Sequence, residues 1–382
     1  MTNIAFPDLN DHLAGHMGAR LKAIGNAVWF GVYSHGTLYL LAIATYCAGL
    51  AESAWLGAPL SLGLVGMLSG TTFAFLYLII SIWLAGDLVR LWWTGYRGSA
   101  VKAIKDRLLD DILAPERISN TLHSIVAVNI LFVGFLTIKK NIPLAVPFAW
   151  DPALSSLDRV LHFGVLPHEI LSPLLASPLA IFFLNLVYNF WFVVLTVFFF
   201  WQGFRKRDTL LRQRFLLSYM LTWVLGTCLL GTLLSSAGPC FYGLAVQGPD
   251  PYAGLLAELH HANTIYPVWA VPTQELLWQS YTSGHGDIEG VSAMPSMHVA
   301  TAVLFLLCAI GSGIRWLVWF TAIFALLIFT GSVVLGWHYA VDGYAGAAIA
   351  LIVWTLAGWW VKPQPLKPQA MRNFSNPPPP AI

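Results

Sequence analysis

Residues 178–202 read PLAIFFLNLVYNFWFVVLTVFFFWQ, a run without a single Asp, Glu, Lys or Arg. Coiled as a helix at about 1.5 Å per residue, it spans the roughly 30 Å of a bilayer's hydrocarbon core. A helix is the form it must take there, because lipid offers no partner to an open backbone N–H or C=O. Comparable apolar runs lie at roughly 28–50, 64–86, 121–138, 215–237, 297–312, 316–337 and 339–361. The whole chain agrees: of its 382 residues 57% are hydrophobic and 10% charged, against about a quarter charged in soluble domains. The expected fold is therefore all-α, a polytopic membrane helical bundle of about eight transmembrane helices. The runs 121–138 and 297–312 are short, so each is expected to tilt, to extend into a loop or to be partly re-entrant.

Lys and Arg set the expected orientation, since cytoplasmic loops retain positive charge. With the N-terminus inside, all of the 20 Lys and Arg except Lys139, Lys140 and Arg159 fall on the cytoplasmic side. Both termini are thus expected in the cytoplasm. The formal net charge of +2 carries no nucleic-acid signature. Four cysteines, three of them inside apolar runs, imply no disulfide framework.

Three segments follow. Residues 1–119 hold an interfacial helix marked by Leu9, Leu13, Met17, Leu21 and Ile24, two crossings, and the charged amphipathic stretch AVKAIKDRLLDDIL. Residues 120–361 hold the remaining crossings and form the main membrane domain. Residues 362–382 are proline-rich and expected to be a disordered cytoplasmic tail. Within the second segment, Asp151 and Pro152 suit the cap and first position of a helix, with Leu154, Leu157, Val160 and Leu161 as an apolar face that packs on the bundle or the bilayer surface. The stretch 238–293 is too long for a mere connection and reads as a folded, substrate-facing loop.

Chemistry concentrates in AMPSMHVA at 293–300 and GWHYAVDGYAG at 336–346. From His298 the chain crosses the membrane, turns at Arg315 and crosses back, so topology returns His338 to the membrane face of His298. His338 and Asp342 are spaced i, i+4 and share a helix face. A carboxylate at that depth costs about 2.5–3.5 kcal/mol on insertion scales, needs a partner and marks a functional site. If Asp342 accepts a hydrogen bond from one ring nitrogen of His338, the other is left as a lone pair, which is how a histidine nucleophile is prepared. His298 can then serve as general acid. Pro295 and Ser296 start the helix and aim Ser296 and backbone N–H groups at an anion. Tyr242 and Tyr339 can hydrogen-bond a head group, although an aromatic belt also accounts for them. His260, His261 and His285 match no strong metal-ligand spacing, and no metal or cofactor is called for.

At these residues the chain resembles the type 2 phosphatidic acid phosphatase superfamily, whose members carry PSGH and SRxxxxxHxxxD motifs on neighbouring helices. The resemblance implies a six-helix core, a phosphohistidine on His338, Asp342 as its orienter and His298 as the acid. It also marks what is missing. Gly331 and Ser332 stand where the second motif has Ser and Arg, and Gly238 stands at the arginine position of the first motif, KxxxxxxRP, now a substrate-facing glycine. Met297 replaces the glycine of PSGH. A phosphomonoester carries about two charges near neutrality, whereas a phosphodiester carries one and demands less.

GPCFY, AMPSMHVA, HYAVD and the stretch IPLAVPFAWD at 142–151 resemble the superfamily branch that contains inositol phosphorylceramide synthases and related inositolphosphotransferases. The implied activity is a lipid phosphotransferase that moves a phosphorylated head group, such as phosphoinositol, from a phospholipid donor to a lipid hydroxyl acceptor. The expected location is a bacterial cytoplasmic membrane with the site on the periplasmic or extracellular face. The alternative is a phosphatase acting on lipid phosphates or polyprenyl diphosphates with the same residues. A transporter or lipid-binding protein would also carry intramembrane ionisable groups, but these lie at one face and not along a pathway.

Overall fold

The computed structural model describes residues 9–61, 63–283 and 290–361, and every regular element among them is helical. The proline-rich tail and His285 lie outside the described residues. The residues expected to form an interfacial helix fall within α1 (Leu9–Ser34), which meets α2 (Gly36–Leu56) at His35. The first crossing therefore begins at Gly36 and not near residue 28. The cause is His35 itself: its ring is 1% exposed, with Nδ1 2.8 Å from Gly31 O and Nε2 2.9 Å from Arg212, so the chain turns to bring the imidazole inside.

α3 (Gly63–Trp93) leads to α4 (Ala100–Arg107), whose first turn is capped by Ser99 accepting from Lys102 N. A π-helical turn over Leu108–Ile112 follows. α5 (Pro115–Ala145) is far longer than the run 121–138: its polar ends are buried within the protein and continue the helix. Beyond it come α6 (Asp151–Leu161), the single-turn helices α7 (Pro167–Ile170) and α8 (Ser172–Leu175), and α9 (Pro178–Gly203), capped by Ser177. α10 (Leu210–Trp223) runs on as a π-helix to Gly231. The long loop is folded, holding α11 (Tyr242–Ala245), α12 (Ala253–Ile265) and α13 (Ala270–Ser283). The chain closes with α14 (Met297–Ser312), α15 (Arg315–Val334) and α16 (Ala340–Trp360).

Seven helical stretches among the described residues are long and apolar enough to cross a membrane, so this is a multi-pass membrane protein. α14, with 16 residues, is the short one anticipated at 297–312 and reaches only about 24 Å. Large apolar side chains such as Trp92, Trp93, Trp316 and Trp359 are exposed, as a lipid-facing surface requires. Helices come closest where side chains vanish. A Cβ on Gly346 would stand 2.4 Å from Ser296 O, which sets α16 directly against the start of α14. Likewise a Cβ on Gly134 of α5 would stand 2.4 Å from Thr45 O of α2, so the N-terminal helices are packed firmly onto α5.

At the end of the bundle opposite His338, one fully buried guanidinium ties four helices together. Arg212 donates to Asp208 Oδ1 (2.6 Å), Gln202 O (3.1 Å), Asn120 O (2.9 Å), Ser124 Oγ (2.8 Å) and His35 Nε2 (2.9 Å). Beside it His123 stacks on His35 at 5.0 Å and receives the Tyr39 hydroxyl at 2.7 Å.

Candidate active site

The site is positioned by α6, whose inward side is polar. Asp151, Leu154, Ser155 and Asp158 are buried, while Leu157, Val160 and Leu161 are exposed. The apolar face expected from sequence thus points mostly away from the protein. Desolvated carboxylates need N–H partners more than leucines need protein neighbours where the surroundings are themselves apolar. Asp151 is also not the helix cap: Trp150 holds that place, and the Asp151 carboxylate accepts from Ala237 N (2.9 Å), Gly238 N (2.8 Å) and the Tyr339 hydroxyl (2.8 Å). Two turns later on the same face, Asp158 accepts from Ala340 N (2.8 Å) and Val341 N (2.9 Å). Those are the first N–H groups of α16, which have no partner within their own helix. Burial pushes both carboxyls above the usual range, their hydrogen bonds notwithstanding.

Asp158→Ala should therefore free the start of α16, which carries Asp342 and follows directly on His338. We expect a loss of about 1–2 kcal/mol, the scale of a lost cap, read as a lower midpoint of thermal unfolding in detergent micelles. An unchanged midpoint would show that α16 does not depend on this cap.

The histidines are set by backbone contacts. His338 N donates to Ser332 O at 3.1 Å, and its Nδ1 lies 3.4 Å from Asp342 Oδ2. Asp342 is fully buried; its Oδ2 also accepts from Tyr339 N at 3.0 Å, which fixes the carboxylate. With Nδ1 turned to Asp342, Nε2 is the nitrogen left for chemistry. His298 lies in the first turn of α14, its ring between Tyr188 (centroids 4.3 Å, stacked) and Trp191 (4.0 Å) of α9. Trp191 is itself held by its Nε1 donating to Thr301 Oγ1 at 2.8 Å. The two imidazole centroids are 6.4 Å apart. Ser296 N donates to Asp342 O at 2.9 Å, locking the starts of the two helices in register. A narrow cleft opens onto His338 between Asp158, His168, Pro239 and Tyr252.

His298, His338 and Asp342 are thus brought together, with Ser296, wholly buried, as the cap of α14. Gly238 and Tyr339 stand beside them, with their polar groups engaged by Asp151. Gly238 has φ +99°, and a Cβ there would be 3.0 Å from Ala293 Cβ and from Trp337 O, so only glycine makes this turn without strain. Tyr242 is partly exposed near the cleft, 5.5 Å from the Tyr252 ring. His260 lies on α12, 3.6 Å from Glu275. Sequence reasoning passed over Asp158, Tyr188 and Trp191, whose roles depend on which helix face meets which neighbour. For Asp158 a signal was present: a second carboxylate one heptad after Asp151 marks the same helix side.

The family description "PAP2 superfamily" matches residues 152–356, from α6 to the last turns of α16. Neither a curated protein nor a solved structure matches the chain.

Proposed function

Since the chain belongs to the PAP2 superfamily, we propose that it is a lipid phosphotransferase that passes a phosphorylated head group through His338. The observation that carries the reading is the triad itself: an imidazole with one nitrogen turned to a buried carboxylate at 3.4 Å and a second imidazole 6.4 Å across from it. Nε2 of His338 attacks the phosphorus of a phospholipid, forming the P–N bond as the bond from phosphorus to the diacylglycerol oxygen breaks. His298 gives that oxygen its proton. A lipid hydroxyl then attacks the phosphorus, its proton passes to His298, and the P–N bond breaks. Asp342 holds the proton on Nδ1 throughout.

Transfer is favoured over hydrolysis by the residues at the family's cation positions. Gly331, Ser332 and Gly238 bring no charge for a dianionic monoester, whereas a diester carries one charge. The similarity of PSMH and HYAVD to the inositol phosphorylceramide synthase branch makes phosphoinositol a head group to try first. The excess of Lys and Arg at the other end of the bundle supports an extracytoplasmic site with both termini in the cytoplasm. The test supplies purified protein with phosphatidylinositol plus ceramide or diacylglycerol, and separately with phosphatidic acid or a polyprenyl diphosphate. A new phosphodiester lipid is the expected product; release of inorganic phosphate with no such lipid would make the protein a phosphatase.

A further inference from the structure

Several hydroxyls around the histidines are already engaged. Tyr339 donates to Asp151 at 2.8 Å, Tyr252 to Ser155 at 2.9 Å and Ser332 to Phe329 O at 2.7 Å. Tyr188 of α9 differs: its side chain is buried, and its hydroxyl oxygen has no hydrogen-bond partner among the described residues. Leaving a buried polar group unsatisfied costs about 1–3 kcal/mol, so a tyrosine kept where phenylalanine fills the same space calls for a reason. Two contacts place its ring at the site. One face lies on the His298 imidazole, with 4.3 Å between centroids and 16° between planes. One edge lies against α15, where a Cβ on Gly331 would stand 3.4 Å from Tyr188 Cδ2. The next residue, Ser332, receives His338 N at its carbonyl oxygen. The phenol therefore touches both the imidazole assigned as acid and the backbone stretch that holds the nucleophile. Asp342 is near enough for its charge to act on the hydroxyl.

We infer that the Tyr188 hydroxyl donates a hydrogen bond to a non-bridging oxygen of the phosphorus that His338 attacks. The inference rests on the phosphohistidine reading above. A donor fixed in advance and aimed at the charge that builds on a phosphoryl oxygen lowers the barrier without reorganising. Stacking on His298 keeps that donor beside the proton bound for the leaving oxygen. Its place also fits the residues around it: Gly331 leaves room for the ring, and Ser332 brings no charge and turns its own hydroxyl to Phe329 O. A neutral donor there suits a diester's single charge and leaves a monoester's second charge unanswered.

The test uses the full chain in zwitterionic nanodiscs, with orthovanadate as the phosphate analogue and calorimetry as the readout. Tyr188→Phe keeps the ring on His298 and removes the hydroxyl alone. It should weaken vanadate binding roughly 10- to 100-fold, the range for losing one hydrogen bond to a charged group. Tyr219→Phe is the control: Tyr219 is also buried but lies one ring further out, beyond the Trp223 that neighbours Trp191, and its change should be less than threefold. A second measurement keeps the hydroxyl: a ring-fluorinated tyrosine introduced at position 188 should shift its fluorine resonance when vanadate saturates the site. Normal vanadate affinity in a folded Tyr188→Phe variant, an equal loss in Tyr219→Phe, or a fluorine resonance that vanadate leaves unmoved overturns the inference. The two readings fail separately. Vanadate binding that depends on Tyr188 in a protein that transfers no head group would remove the transferase and keep the hydroxyl at the anion site. Wild-type vanadate affinity and full head-group transfer in Tyr188→Phe would do the reverse.

Discussion

His338→Ala should abolish head-group transfer, by about three orders of magnitude or more, the scale on which loss of a covalent nucleophile acts. The imidazole is 9% exposed, opens to the cleft and is positioned by Ser332 O and Asp342, so no neighbouring side chain is placed to replace it. Wild-type protein quenched with acid-free denaturant after brief exposure to a head-group-labelled donor should carry label on His338 that acid releases. His298→Gln should behave differently. It removes the proton donor, costing about 10²–10⁴-fold with a natural donor, but the loss should shrink with a nitrophenyl phosphodiester, whose leaving group needs no proton. His338→Ala should gain nothing from that substrate. Substantial activity in His338→Ala, or rescue of both variants alike by the nitrophenyl donor, would sink the assignment of roles.

The trio was legible in the sequence because two kinds of information coincided. Counting crossings placed His298 and His338 on one face, and i, i+4 spacing placed Asp342 beside His338; neither needs side-chain packing. What escaped were features that depend on helix orientation. His35 interrupts an apolar run that hydropathy reads as continuous, and only its commitment to Gly31 and Arg212 turns the chain there. On α6, the logic of a helix in water would turn the apolar stripe inward, whereas the sequence leaves open whether it meets the bundle or the bilayer surface. Where the surroundings are apolar that logic inverts, and Asp151 and Asp158 point in. Hydropathy also averages over a window, so it cannot foresee that α10 changes to a π-helix from Val224 to Gly231.

The largest structural effect is expected at Arg212, whose polar setting no linear pattern announces. Arg212→Met keeps the bulk and deletes the donors, leaving Gln202 O and His35 Nε2 without this partner and removing the Arg212 contact of Asp208. Breaking a buried pair from one side costs about 3–5 kcal/mol; Asp208 keeps Gln213 Nε2 at 2.6 Å and some exposure, which places the expected loss near the lower figure. Arg212→Lys should fall between, because one ammonium cannot reach all five of these acceptors. His35 supplies a second readout. Burial first, then the Arg212 charge, lowers its pKa to about 4, so the folded protein binds fewer protons than the unfolded chain between about pH 4 and the ordinary histidine value of about 6.5. Stability should therefore fall as pH drops through that window, and the slope should flatten in Arg212→Met, where one of the two leading causes is gone. Thermal unfolding in micelles at several pH values measures both. Equal midpoints for wild type and Arg212→Met would remove the guanidinium as the tie between α2, α5, α9 and α10, and an unchanged slope would separate His35 from it.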